Sequence, residues 1–365
     1  MTNPRLDSIR RLMRDNNLDA LLVRQAEETP SVNMRYLSGF TGTAGVLIVG
    51  RDQQFIATDS RYWEQVKHQA PDYALLQYKN HPEQADVVRD KLKSLVAKRV
   101  GFEAGRLTVA QHVIWKEKFE GVELVATTDM VEGLRMVKDT HEIDVVRKAI
   151  ALTDRAYEHI VNWIEPGMSE KEVAWELEAF MRTRGADGLA FDVHVASGPN
   201  SAEPHHVADD REIRLGDPIW IDMGARVGGY CADLTRSFVL GEPDEQFKKI
   251  YEIVLRAQLT VEHALKAGLP GKDVDAIARK VIEDAGFGDN FGHGLGHGVG
   301  LHIHEKPSAG RVSEDTLPDG ALVTIEPGIY IPGWGGVRIE DVALIHDGGA
   351  EILTKASKWQ IADGK

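Results

Sequence analysis

Cysteine is almost missing: Cys231 is the only one in 365 residues. One chain therefore forms no internal disulfide and builds no thiolate metal cage, and a reducing, cytoplasmic setting is expected. Long apolar runs are missing too. No stretch approaches the roughly 18 residues of a membrane span. The opening segment MTNPRLDSIRRLMRDNN is charged throughout, with Leu6, Ile9, Leu12 and Met13 at helical spacing instead of a signal peptide's apolar core. A first helix and a soluble protein are expected. Basic charge is short as well: 43 Lys and Arg against 57 Asp and Glu leave a net charge of -14 with no basic cluster, which argues against a nucleic-acid surface. What is present is globular material, 42% hydrophobic and 27% charged, enough for a sizeable core. At roughly 150 residues per domain the length suggests two domains.

The first third alternates short apolar runs with helical patterns. Residues 20–23, 44–49, 54–58, 74–78, 100–102 and 122–126 predict strands, and 82–97 and 108–119 predict helices. That alternation predicts an α/β domain over residues 1–130, a mixed sheet with helices. From Asp139 the pattern becomes a long helical run, 140 to about 163, opened by an Asp cap with Glu142 three residues on. The second domain is therefore placed at 131–365 and reads as α+β. Within it, residues 151–185 and 252–286 align without gaps at an offset of 101. Arg155, Ala156, Gly167, Lys171, Val173 and Gly185 recur as Arg256, Ala257, Gly268, Lys272, Val274 and Gly286. Both copies read as helix, turn, helix, terminal Gly, and Ser169 with Glu172 adds a capping-box pattern to the first. Two related halves offer a cleft along a pseudo-twofold axis, where chemistry is expected.

Four acids stand out by their apolar, strand-like surroundings. The string PIWIDMGARVGGYCADLTRSFVL predicts two strands joined by a Gly-containing turn, with Asp222 ending an apolar run and Asp233 eleven residues later. Burying a carboxylate in an Ile-Trp-Ile run is costly unless a cation or hydrogen bonds compensate. The plainer alternative is that Asp222 caps a turn and Asp233 pairs with Arg236. In VTIEPGIYIPGWGGVRIEDVALI the pattern repeats, with Glu326 and Glu340 in apolar runs around a loop holding Pro332, Gly333, Gly335 and Gly336. Between the two lies FGHGLGHGVGLHIHEKP, with His293, His297, His302 and His304 among glycines that permit close approach to a ligand.

Carboxylates and imidazoles together point to a metal. The glycines lack the GxGxxG register and the Walker Lys-Ser/Thr ending of a phosphate loop, and His304-Glu305 continues as Lys306-Pro307, so no HExxH helix is present. Four carboxylates balance two divalent cations, whereas one cation leaves the site negative. Oxygen-rich ligation with a single imidazole favours Mn, with Co or Zn as alternatives. Two ions about 3.5 to 4 Å apart share one hydroxide and lower its pKa towards neutrality.

The strings IDMGA and CADLTR, GHGLGHGVGLHIHE, IEPGIY and VRIED together resemble the five-ligand pattern of the pita-bread metallopeptidases. These include methionine aminopeptidase, aminopeptidase P, prolidase and creatinase. MRYLSGFTGTAGVLIV and ATDSRY resemble the creatinase-type N-terminal domain of the proline-specific members and creatinase, so the similarity spans nearly the whole chain. The resemblance implies a creatinase-type domain followed by a pita-bread catalytic domain. It implies Asp222, Asp233, His297, Glu326 and Glu340 as metal ligands, with Asp233 and Glu340 bridging. His297 is implied over His293 because the family's ligand histidine lies seven residues before the histidine of the HE pair, here His304. His293 becomes a pocket residue. His205, in SGPNSAEPHH, matches a histidine that approaches substrate, and Arg338 matches an arginine beside the final glutamate. His206 and His302 are left as surface or packing residues.

The function so implied is hydrolysis of the bond between an N-terminal residue and proline through a hydroxide bridging two metals. Glu326 is the expected general base, and His205 and His304 the groups stabilising the oxyanion. His205, His293, His304 and Arg338 are the expected substrate-binding residues. Aminopeptidase P is favoured over a dipeptide-only prolidase because the compact GFTGTAGV and TDSRY forms look like its smaller bacterial-type members. A creatinase-like amidinohydrolase, which works without metal, is disfavoured by the five intact ligands. A catalytically inactive binding member of the fold is disfavoured by the same completeness and by the acidic charge. The resemblance further implies a homodimer acting on Xaa-Pro peptides, and the acidic charge and short apolar runs make a nucleic-acid or membrane partner unexpected.

Overall fold

Asn3 accepts a hydrogen bond from the backbone of Arg5 and opens α1 (Pro4–Asp15), whose Leu6, Ile9 and Met13 are buried. The computed structural model describes residues 3–358. The chain separates into two compact units between Arg135 and Met136.

In the first unit the six apolar runs become β1 (Ala20–Gln25), β2 (Gly45–Gly50), β3 (Gln54–Thr58), β4 (Ala74–Gln77), β5 (Arg99–Glu103) and β6 (Glu123–Thr127). They form one mixed sheet in the order β4-β3-β2-β1-β5-β6. The central pairings β1–β2 and β2–β3 are antiparallel, and the outer pairings are parallel. Leu22, Val46, Ile48 and Val100 from the sheet pack with Val88, Leu92 and Trp115 from the helices. The predicted helices appear as His81–Ser94 and Val109–Lys118 (α4 and α5), preceded by α2 (Val32–Ser38) and α3 (Trp63–Gln69) and followed by α6 (Met130–Arg135). Those last three were not anticipated. Each has only six or seven residues, too few turns to display a hydrophobic period, so their ends depend on caps and packing.

In the second unit α7 spans Thr140–Trp163 and begins with a full capping box between Asp139 and Glu142. A second capping box, Ser169 with Glu172, opens α8 (Glu170–Thr183), and Gly185 beyond its end takes φ 108°. The repeat is visible in the helix ends. α9 (Glu245–Ala264) and α10 (Gly271–Asp284) have ends at 264, 271 and 284, each 101 residues beyond the ends of α7 and α8 at 163, 170 and 183. No helix among the described residues is long and apolar enough to cross a membrane.

Strands follow each helical pair. The first set is β7 (Gly188–Leu189), β8 (His194–Ser197), β9 (Pro218–Met223), β10 (Ala225–Val227), β11 (Tyr230–Cys231) and β12 (Leu234–Val239). The second is β13 (Gly296–Gly298), β14 (Glu305–Ala309), β15 (Leu322–Ile325), β16 (Gly328–Ile331), β17 (Gly335–Arg338), β18 (Asp341–His346) and β19 (Gly349–Ile352). Both predicted hairpins form, but neither is a single ladder. β9 pairs with β12, and the segment between them makes its own small turn, β10–β11, around Gly228 and Gly229 at φ 56° and 81°. Likewise β15 pairs with β18, while β16 and β17 pair with each other as a separate two-stranded sheet.

Candidate metal centre

The acids sit where one ladder gives way to the next. Asp222 is near the end of β9, Asp233 lies just before β12, Glu326 between β15 and β16, and Glu340 between β17 and β18. Breaks of this kind free a side chain from strict alternation while the flanking strands hold its backbone. The Glu326 backbone N–H donates to Leu295, and that of Glu340 to Thr235. Ser237 ties the hairpins together, its hydroxyl donating to the Arg338 carbonyl and accepting from the Arg338 N–H.

Nine residues singled out in the sequence converge on one cavity of about 300 Å³: Asp222, Asp233, His297, Glu326 and Glu340, with His205, His293, His304 and Arg338. Ligand atoms of Asp233, His297 and Glu340 all lie within 4.8 Å of one another. His297 faces the acids with Nε2, 3.4 Å from Glu326 Oε1 and 3.6 Å from Asp233 Oδ2. Its Nδ1 lies 3.1 Å from the Gly298 carbonyl, which can only accept. The hydrogen is therefore on Nδ1, and the Nε2 lone pair of the uncharged ring points at carboxylates.

That arrangement calls for a cation. Burial, and then the charges of Glu340, Asp222 and Glu326, push the Asp233 carboxyl well above its ordinary range. Burial followed by Glu326 and Asp222 does the same to Glu340. Burial takes Glu326 up to about 8 despite the nearby Arg338. For His297, burial and the neighbouring His304 depress the imidazole to about 4, which keeps its lone pair available. Asp222 Oδ1 and Glu340 Oε1 are buried with no hydrogen-bond partner. Hard oxygen donors, one imidazole lone pair and two orphaned carboxylate oxygens fit divalent cations. The remaining carboxylate oxygens are aimed by hydroxyls: Thr235 donates to Glu340 Oε2 at 2.8 Å and Thr324 to Glu326 Oε1 at 3.2 Å.

The plainer alternative for Asp233 does not form. Arg236, 1% exposed, pairs instead with Asp341 at 2.7 Å and donates to the carbonyls of Ala356, Thr235 and Glu340. Arg338 lines the cavity, yet each of its nitrogens already donates within the protein. Its Nη2 reaches Asp222 Oδ2 at 2.7 Å, Nη1 reaches Tyr330 Oη and the Pro204 carbonyl, and Nε reaches Thr235 Oγ1. The Tyr330 hydroxyl is in turn 3.0 Å from His293 Nε2. Burial and then Arg338 depress His293 to about 4.

His206 is buried and lies outside the cavity lining. Its Nε2 lies 2.7 Å from Glu170, a buried carboxylate that also accepts from Ser197, Asn200 and the Asp209 backbone. Glu170, His206 and Asp209 lie close enough to resemble a second metal cluster, but the Glu170 oxygens already accept from N–H and O–H donors. The group works as a clamp on the loop that carries His205. His302 also lies outside the cavity lining. Phe191, His194, Pro204 and Tyr330 were not anticipated. His194 sits in HVAS, a four-residue strand too short to read, and only its pairing with β9 brings it to the site.

Residues 144–347 match metallopeptidase family M24, and residues 5–137 match the creatinase/prolidase N-terminal domain. The chain is 38% identical to the Xaa-Pro dipeptidase of Pyrococcus furiosus over 97% of its length and 98% of that protein's. Among solved structures it resembles an Xaa-Pro dipeptidase from Bacillus anthracis with a TM-score of 0.93 and 42% identity, covering 98% of this chain and 99% of that one. It also resembles an X-Pro aminopeptidase from Thermotoga maritima, with a TM-score of 0.89 and 38% identity over 96% and 99% of the two chains.

Proposed function

The chain belongs to metallopeptidase family M24, and on that premise we propose that it is an Xaa-Pro dipeptidase releasing an N-terminal residue from proline. Residues 131–365 are the proposed catalytic domain and 1–130 a separate N-terminal domain. The observation that carries the reading is the set Asp222, Asp233, His297, Glu326 and Glu340 lining one cavity, with the His297 Nε2 lone pair facing Asp233 and Glu326. These five are the proposed ligands of two divalent ions, with Mn favoured by the oxygen-rich donor set. When bound, the ions supply charge to polarise the scissile carbonyl and acidify water.

The protein's own groups do the rest. Glu326 and Asp222 are the more open carboxylates, each with its side chain 17% exposed, and Asp222 is already held by Arg338; Glu326 is the proposed base. It takes the proton from the attacking water as the new C–O bond forms, and returns it to the proline nitrogen as the C–N bond breaks. His205 and His304 donate to the oxyanion of the tetrahedral intermediate. His293 shapes the proline side of the pocket, and Arg338 orients Asp222.

Dipeptides are favoured over longer chains for two reasons. The names of the similar proteins lean to dipeptidase, against the aminopeptidase P preference drawn from GFTGTAGV and TDSRY. A neighbouring hollow that shares His293 and Gly294 is bordered by Lys306 and Arg311. Arg311 is exposed and makes no hydrogen bond or ion pair among the described residues, so it suits the free carboxylate of a terminal proline. Turnover of Ala-Pro against Ala-Pro-Ala tests this: Ala-Pro should be the better substrate by about tenfold or more, and preference for the tripeptide would return the reading to aminopeptidase P. Replacing Glu326 by Gln should abolish turnover of both while leaving the fold intact. A homodimer and a reducing, cytoplasmic location are proposed alongside, the second on the single buried Cys231.

A further inference from the structure

His194 borders the cavity without a role in the reading above. It opens β8 directly opposite Asp222 on β9, and Asp222 in turn faces Thr235 on β12. Directly paired residues on neighbouring antiparallel strands project from the same face, with Cβ atoms about 5 Å apart. His194 thus extends the row that holds Asp222 and the Thr235 hydroxyl.

Its ring is fixed from behind. Nδ1 lies 2.7 Å from the His206 carbonyl oxygen, which can only accept, so Nδ1 carries a hydrogen, and in the neutral tautomer that this bond selects Nε2 is the acceptor. That carbonyl is itself anchored, because the His206 ring is clamped at 2.7 Å by the buried Glu170. Phe191 stacks beside His194 at 6.1 Å and 24°. The His194 Nε2 has no hydrogen-bond partner among the described residues. The other fixed histidines of the cavity differ: His293 has its Nε2 against the Tyr330 hydroxyl, and His297 faces the acids.

We propose that Nε2 of His194 accepts a hydrogen bond from the N-terminal ammonium of the substrate and so selects peptides whose first amine is free. The inference rests on the Xaa-Pro reading. In such a substrate the ammonium nitrogen is two bonds from the scissile carbonyl carbon, so the group that recognises it must border the acids. His194 borders them through Asp222, as an acceptor already oriented by the His206 carbonyl.

Two variants remove the acceptor. His194→Asn keeps a donor for the His206 carbonyl but has no atom where Nε2 stood, and His194→Phe keeps the ring but has no nitrogen. His194→Gln carries an amide oxygen out to the Nε2 region and serves as the rescue. With Mn-loaded protein, the measurements are KM and kcat for Ala-Pro and the inhibition constant of propionyl-proline, which lacks the amine. The Asn and Phe variants should raise KM for Ala-Pro about tenfold, leave propionyl-proline inhibition and metal content unchanged, and be largely corrected by Gln. Parallel losses for both ligands, no loss for either, or metal missing from the acceptor-free variants would each overturn the proposal. Wild-type protein that turns over no Xaa-Pro peptide would defeat the functional reading itself, and this inference with it. Wild-type turnover with an unselective His194→Asn defeats the inference alone.

Discussion

At the scale of single residues, Glu103 shows how a carboxylate behaves when no cation site is at hand. Its Oε1 accepts from Asn33 Nδ2 at 2.5 Å, and the same amide reaches Glu132 at 2.6 Å. Its Oε2 is buried without a partner. Burial outweighs the Asn33 bond and, with the Glu132 charge, raises the carboxyl to about 7. The folded state thus binds this proton more tightly than the unfolded chain does. The associated stability is fully present below about pH 4.5 and lost as pH rises through about 7. Urea unfolding of wild type and Glu103→Gln at pH 5 and pH 8 checks this, because Gln mimics the protonated group. Wild type should lose up to about 3 kcal/mol more than the variant between the two pH values. Equal losses would show that Glu103 does not titrate in this window. Its burial was not visible in the sequence, where GFEAG reads only as the end of a strand; Asn33 and Glu132 reach it from distant segments.

At the scale of elements, the two hairpins show both what pattern reveals and where it stops. The apolar runs mark β9, β12, β15 and β18, since strands buried on both faces need not alternate. The switch from one ladder to another at Asp222–Asp233 and Glu326–Glu340 carries no such mark, because it depends on which strand lies alongside. The same holds for Arg236. Sequence proximity suggests Asp233 as its partner, but Asp341 on β18 takes it, which bolts β12 to the second hairpin. Replacing Arg236 by Met should therefore destabilise the fold rather than the chemistry alone. Lys358 remains 2.8 Å from the other Asp341 oxygen, so the loss should sit at the low end for a broken buried pair, about 3 kcal/mol. Urea unfolding measures it, and a change within the range of an ordinary surface substitution would refute the bolt.

At the scale of the whole molecule, the site is a meeting of four separate segments on a duplicated scaffold, and its stability is tied to its proposed ligands. Burial and mutual repulsion disfavour the charged forms of Asp233, Glu326 and Glu340, so bound cations should stabilise the folded state. At ion concentrations 100-fold above Kd the gain is about 2.7 kcal/mol per ion, or roughly 5 to 10 °C in the second unit's Tm for each. Calorimetry before and after exhaustive chelation should show that drop, and added Mn should reverse it. A Tm indifferent to chelation, with metal loss verified by elemental analysis, would count against ligation by these acids.

Much of this was legible in the amino-acid order because its cause is local. Capping boxes at Asp139 and Ser169 satisfy amides three residues away, short apolar runs mark strands by their own burial, and the 101-residue offset is carried by helix ends and glycines. The chemically unusual acids in apolar runs were legible for the same reason. Pairing between strands distant in the chain decided the rest: that nine chosen residues share one cavity, that every nitrogen of Arg338 is engaged by its neighbours, that Arg236 belongs to Asp341, and that His194 stands beside Asp222. None of these has a local signature, since each depends on the register of segments that only burial of a common core brings together.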